Sequence, residues 1–382
     1  MKISVRLAEL IKGEAHRRGL VAEIAKHTKI ERHTVSALLT NTAKYVSLEC
    51  LAQISEYLIR VHGVDRASLP GALLGRDPDH LWDMLVNSEQ LDFCLGARRS
   101  REWVGSEYVM STDARLQSVI LSTVSQFETD STPDTLGSNH VPRSAHPRHF
   151  PHFHLVQAPS RKTKTEHPGR DWPGVCDSAQ CTYEEWKKAG RGALIVLGSI
   201  KVNPVGELMF TNFFPAEPFV CQDGVADPSQ RSFPILFRFR DSDPKPPSCC
   251  GGMRLAANTS ASQPGIYYAT NTGEWKCCPV TPETADAAFF FYGYRPHLGQ
   301  AEIACGGFSS RATNCLTSHL EAITSQFGEP QFMSEQLQLG LYVIKFRFDP
   351  SDTNYDDYRD ERECSIEVIR LSKEVIGRRL LS

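Results

Sequence analysis

Long apolar runs are missing from this sequence: none approaches the roughly 20 residues that a helix needs to cross a bilayer. The first residues also lack a basic stretch leading into a hydrophobic core, so a cytoplasmic protein with no membrane partner is expected. Neither a G-x-G-x-x-G fingerprint nor a Walker lysine loop occurs, which leaves no nucleotide site identifiable by motif. No internal repeat is visible. No pair of Asp or Glu residues has a local context suited to acid–base work, so no catalytic residue is assigned. The 12 cysteines are scattered through 382 residues and do not form the framework of a small secreted domain, so reduced thiols are expected.

What is present is an ordinary globular composition, 41% hydrophobic and 23% charged, in a chain long enough for two or three domains. The net charge of −3 is unevenly spread: residues 1–64 carry ten basic against six acidic side chains, and the rest carries 32 against 39. A basic head on an acidic body suits a head that meets phosphate while the body stays off it.

Four short helical patterns open the chain. Leu7, Leu10, Ile11 and Ala15 fall at helical spacing, and Gly19 stops that helix. Val21, Ile24 and Ala25 mark the inner face of a second helix, and Val35, Leu38 and Leu39 that of a third over Glu31 to Thr40. Ser47 is placed to cap a fourth, with Leu48, Leu51, Ala52, Ser55, Leu58 and Ile59 on one face.

These residues carry a resemblance. Ile24-Ala25, Ile30, Thr34-Val35-Ser36, Leu38, Asn41 and Ser47-Leu48-Glu49-Cys50-Leu51 stand at the spacings of the Cro/C1-type helix-turn-helix of phage repressors and their bacterial relatives. The likeness covers about one sixth of the chain. It implies a domain that reads double-stranded DNA, with the third helix in the major groove. On that reading Arg32, His33, Ser36 and Ala37 face base edges or phosphate, and Thr40, Asn41, Thr42, Lys44 and Tyr45 follow along the backbone. Two positions depart from the family: Lys29 stands where the turn usually has Gly, and Val21 where helix two usually opens with a polar phosphate anchor.

Residues 62–80 read as a linker, with helices expected at about 79–95 and 113–127. Ser131 to Pro173, rich in proline and carrying six histidines, reads as a long loop. Beyond it the pattern turns α/β. A capping box from Thr182 to Glu185 opens a helix, and Arg311–Phe327 forms another. Strands are expected at Ala193–Leu197, Ile235–Arg240, Ala287–Tyr292, Ala301–Cys305, Leu341–Phe348 (half-exposed or at an edge) and Ile366–Leu371. The expected fold is therefore α+β multidomain: an all-α head over 1–62, a linker and helical segment over 63–130, a Pro/His-rich loop over 131–175, and an α/β body, Rossmann-like or a related open sheet, over 176–382.

Two strand-to-helix junctions in the body are rich in small and polar residues. Gly198, Ser199 and Asn203 follow one strand; Gly306, Gly307, Ser309, Ser310 and Arg311 follow another. Free amides at such helix starts make an anion site, so a small anionic metabolite or nucleotide is the expected ligand. Cys176-x4-Cys181 near His167, Cys249-Cys250 and Cys277-Cys278 are candidate zinc ligands, and Cys305 with His297 or His319 a candidate thiol–imidazole pair. Small buried thiols account for them better, so no metal and no cofactor is expected. The leading expectation is a homodimeric transcriptional regulator. The alternatives are a nucleotide-processing enzyme or defence effector that carries an autoregulatory head, and a protein-interaction module.

Overall fold

The computed structural model describes residues 3–5, 7–11, 17–40, 42–43, 45–64, 66, 69, 73–76, 81–88, 90–99, 107–130, 151–159, 172–190, 192–243, 245–349 and 364–380. Its first elements are β1 (Ile3–Val5), α1 (Leu7–Leu10), α2 (Leu20–Thr28), α3 (Arg32–Leu39), α4 (Leu48–His62) and β2 (Leu74–Arg76). Leu7, Ile11, Ile24, Val35, Leu38, Ile54 and Leu58 come together as one core, as apolar residues at three- and four-residue spacing should. Ser47 caps α4 by accepting from the Cys50 amide at 3.1 Å.

The inner face of α4 is only partly the one expected: Leu58 is buried and Leu51 and Ile59 pack against the core, but its centre is shifted. Cys50, Ile54, Tyr57 and Leu58 point inward, whereas Leu48 is 85% exposed. The helix offers two overlapping apolar stripes. The one carrying Tyr57, whose ring lies 5.8 Å from that of His27, packs on α2. The stretch after residue 62 is also more than a linker, because β2 pairs antiparallel with β1 and Leu69 and Leu73 enter the head core.

The body begins with α5 (Leu81–Val86), β3 (Leu91–Arg99), β4 (Glu107–Val109), α6 (Ser111–Asp130), β5 (Pro151–Gln157), α7 (Trp172–Ala189), β6 (Gly192–Leu197) and α8 (Val205–Thr211). The helix expected over 79–95 therefore stops at Val86, and its second half is β3. In that strand Leu91, Phe93, Leu95 and Ala97 alternate with Asp92, Cys94 and Gly96, a period of two. The expected loop over 131–175 contains β5 and the start of α7; His140, His146, His149 and His167 lie outside the described residues.

A small sheet follows, with β7 (Ile235–Arg238), β8 (Gly251–Gly252), a β9 (Arg254–Ala256) and β10 (Thr259–Ser260) hairpin, β11 (Gly265–Ala269) and β12 (Trp275–Pro279). Its order is β12-β11-β7-β8. The chain ends with β13 (Ala285–Arg295), β14 (Gln300–Gly307), α9 (Ser310–Ser318), α10 (Leu320–Thr324), β15 (Phe332–Met333), β16 (Gln338–Arg347), β17 (Ser365–Arg370) and α11 (Lys373–Gly377). The single helix expected over 311–327 is broken at His319, which links α9 to α10.

The large mixed sheet runs β16-β13-β14-β6-β3, with β15 and β17 beyond β16 and β4 and β5 paired to β3. Strands β5, β3, β6 and β14 are parallel, and β13, β16 and β17 continue antiparallel. Strand β16 is thus interior, flanked by β13 and β17, and not an edge. Cys94, Leu194 and Val196 meet α7, α8 and the small sheet on one face. Phe93, Leu95, Ile195 and Leu197 meet α6 and α9 on the other. No helix among the described residues is long and apolar enough to cross a membrane.

The sequence β3–α6–β5–α7–β6 places its strands in the order β5-β3-β6. The chain leaves β3 toward one side of the sheet and continues from β6 toward the other, so the order reverses between these two strands. Head and body also touch: Leu298, in the turn between β13 and β14, is buried in the head core.

Candidate functional site

Two regions gather polar side chains on a rigid frame. In the head, the link from α2 to α3 is made by Thr28 and Lys29. The buried Thr28 hydroxyl donates to the Ile24 carbonyl at 2.7 Å and accepts from the Ile30 amide at 3.3 Å. Lys29 follows at φ 60°, a left-handed backbone that costs a side-chain-bearing residue about 1 kcal/mol. This sets α3 with Val35, Leu38 and Leu39 inward and Arg32, His33 and Ser36 exposed. Ala37, Thr40 and Thr42 are half-buried. The Thr40 hydroxyl bonds the Ser36 carbonyl at 2.9 Å and the Thr42 hydroxyl at 3.0 Å, which closes the C-terminal end of the helix. Tyr45 is 94% exposed on the loop that follows. Asn41 and Lys44 lie outside the described residues.

The second region is a cavity of about 150 Å³ at the carboxyl ends of β3, β6 and β14. In open α/β sheets this is where ligands sit when the strand order reverses. Its walls come from Arg98 on β3, Thr112 and Asp113 on α6, Ser199 and Lys201 after β6, Arg240 and Asp243 after β7, and Gly307, Phe308, Ser309, Ser310 and Thr313 at the start of α9. Two helices, α6 and α9, thus present their first turns to one space.

Lys201 is buried, its Nζ 3.0 Å from Asp243 Oδ2, 2.9 Å from the Phe308 carbonyl and 3.8 Å above the Phe308 ring. Asp243 also accepts from the Arg240 amide at 3.0 Å. Asp113 is pushed up to about 6 by burial, opposed by the Thr112 hydroxyl and the Arg98 charge. Ser309 caps α9 and donates its hydroxyl to buried Asp286.

Of the residues singled out in the sequence, Ser199, Gly307, Ser309 and Ser310 line this cavity. Asn203 does not. It is buried and its amide donates to the carbonyls of Cys94 at 2.8 Å and Leu197 at 3.1 Å, clamping β3 to β6. Arg311 turns away, donating to the Pro282 carbonyl at 2.8 Å and stacking 3.3 Å over Phe348. Gly198 and Gly306 serve packing: Gly198 has φ 96°, and a Cβ on Gly306 would lie 2.6 Å from the Gly198 backbone. Local pattern missed Arg98, Asp113, Lys201, Arg240 and Asp243. Only Lys201 had a cue, standing two residues past Ser199 in a predicted loop.

The Cys305–His297 and Cys176–Cys181 candidates come apart. Cys305 is fully buried, and His297 belongs to the turn at the far end of β14. Cys176 and Cys181 share α7, five residues apart and so on different faces. Among the described residues, Glu207, Cys249 and Cys250 are the group whose donor atoms lie within 4.8 Å of one another. Here the carboxylate of Glu207 already accepts from the Ser248 hydroxyl, the Cys249 amide at 2.9 Å and the Cys250 thiol at 3.1 Å. Burial holds the Cys250 thiol well above its ordinary range. The cluster reads as a closed hydrogen-bond network that secures the β7–β8 region.

Comparison with protein-family models, with curated proteins and with solved structures gives no match.

Proposed function

We propose that the chain is a sequence-specific DNA-binding regulator whose α/β body, Rossmann-like in the β5-β3-β6 order of its parallel strands, binds a small anionic ligand and pairs two copies. The observation that carries this reading is α3: a short helix seated by Val35, Leu38 and Leu39, turning Arg32, His33 and Ser36 to solvent. The left-handed residue Lys29 before it occupies the turn position where the resembled helix-turn-helix domains carry Gly. An Arg on the exposed first turn of such a helix can bond guanine O6 and N7 together.

The body supports regulation by its connection to the head. Strand β14 starts beside Leu298 in the head core and ends at Gly307 on the cavity wall, eight residues of paired strand. Occupancy at one end thereby biases the seating of the head at the other, provided the ligand binds one arrangement better.

Replacing Arg32 by Ala is expected to weaken binding to the cognate duplex by ~1–3 kcal/mol while leaving helix content unchanged, since the side chain is exposed. Titration of both proteins into the selected duplex at fixed salt checks this; equal affinity would remove α3 from the reading role. A catalytic body is the second reading, favoured by Asp113, whose carboxyl is pushed up to about 6 inside the cavity. Turnover of nucleotides by the full chain would establish it.

A further inference from the structure

The chemistry of the cavity narrows its ligand, an inference that rests on the anion-binding body proposed above. Three cationic side chains reach it from three elements: Arg98 from β3, Lys201 after β6 and Arg240 after β7. They are set against two carboxylates, Asp113 and Asp243. Asp243 is committed to Lys201 Nζ and the Arg240 amide. Ser199 supplies a separate pointer to a ligand. It is 95% buried, at 5% exposure, lines the cavity, and has no hydrogen-bond partner for its hydroxyl among the described residues. The first turns of α6 and α9 border the same space through Thr112 and Ser310, while the Asp113 amide donates to the Met110 carbonyl at 3.1 Å and the Ala312 amide to the Ser309 hydroxyl.

We propose that this cavity is a site for a doubly charged tetrahedral oxyanion, the phosphoryl group of a small phosphate ester or free phosphate, with Ser199 as a direct donor. Donors arriving from the β3, β6 and α9 sides match an anion with three or four oxygens; a planar carboxylate has only two. A cavity of about 150 Å³ has room for the anion and further atoms of an ester.

Charge balance then links binding to Asp113. The groups around it are Arg98 from β3, Cys305 from β14, Lys201 after β6, and Arg240 and Asp243 after β7. Three cations and two carboxylates line the cavity, with buried Asp286 behind Ser309, so a proton on Asp113 removes one negative charge from the wall that an anion meets.

Sulfate is the probe that tests this, because it stays a dianion across the working range and any pH dependence belongs to the protein. Calorimetric titration of the full chain in a chloride buffer should give at least about tenfold tighter binding near pH 5.5 than near pH 8. The Asp113→Asn protein should bind at both pH values with the tighter affinity. Arg240→Gln should lose about tenfold and Ser199→Ala several-fold at every pH, the serine variant serving where the arginine variant folds poorly. Glycerol phosphate binding tighter than inorganic phosphate would identify an ester as the ligand, and equal affinity the free ion. No heat with any of these anions, or heat that Arg240→Gln and Ser199→Ala leave unchanged, overturns the site. Duplex binding measured on the same preparation separates the two readings: DNA bound without anion leaves the regulator and removes this site, and the converse leaves the site alone.

Discussion

Glu302→Ala is expected to lower the stability of the protein by ~2–4 kcal/mol, because it removes a buried carboxylate that serves three donors. Glu302 is fully buried on β14. One of its oxygens accepts from the Tyr183 hydroxyl at 2.6 Å; the other accepts from the Asn212 amide at 2.8 Å and the Arg295 guanidinium at 2.5 Å. The guanidinium in turn lies 4.4 Å from the centre of the Phe213 ring. Removing the carboxylate leaves the part-buried Arg295 without its counter-ion, and the buried Tyr183 hydroxyl and part-buried Asn212 amide without this acceptor. The double variant Glu302→Leu with Arg295→Met should recover much of the loss, since a buried ion pair and its apolar replacement are often near parity. Urea unfolding of the three proteins measures this. A single variant as stable as the parent would show that these contacts are not what joins α7 and α8 to β14.

Asp113→Asn should act in the opposite direction and only at higher pH. Burial is the main cause that raises the carboxyl from 3.8 to about 6, so the folded state holds this proton more tightly than the unfolded chain does. The sign follows from that: the benefit is complete below pH 3.8 and disappears as pH rises through about 6, after which the ionised group burdens the fold. A rise of that size corresponds to ~3 kcal/mol. In a buffer free of multivalent anions, the Asn protein should therefore be more stable than the parent by up to ~3 kcal/mol above neutral pH, and equal to it near pH 4. A functional group retained at the expense of stability is what a binding or catalytic site shows. An Asn variant less stable at every pH would mean that Asp113 is structural.

The head was legible because its core is local. Ile24, Val35 and Leu38 recur at helical spacing within a few turns, and Ser47 caps α4 by a bond three residues long. Ala193–Leu197 was legible because a strand buried on both faces is apolar throughout. Strand β3 was not, because Asp92 interrupts its apolar pattern. That carboxylate is satisfied by Gln90 at 2.9 and 3.0 Å and by His154 on β5 at 2.8 Å, a partner 62 positions away. Strand β5 is hidden in the same way, as its histidines alternate with Phe153 and Leu155 in a stretch whose composition is that of a loop.

The cavity shows the same limit. Serines and glycines at a helix start can be picked out locally, and four of those chosen do line it. Its charges come from positions as far apart as Arg98 and Asp243, and only the sheet order brings them together. Asn203 and Arg311 had the right chemistry and the right neighbours in sequence, yet one clamps two strands and the other stacks on Phe348.

Whether α3 reads a DNA sequence is tested most directly by selecting bound duplexes from a random pool with the full chain. The expected result is enrichment of a palindrome whose half-sites, one per copy of the head, lie about one helical turn or ~34 Å apart. Binding that follows salt concentration alone, with no sequence enriched, would contradict it.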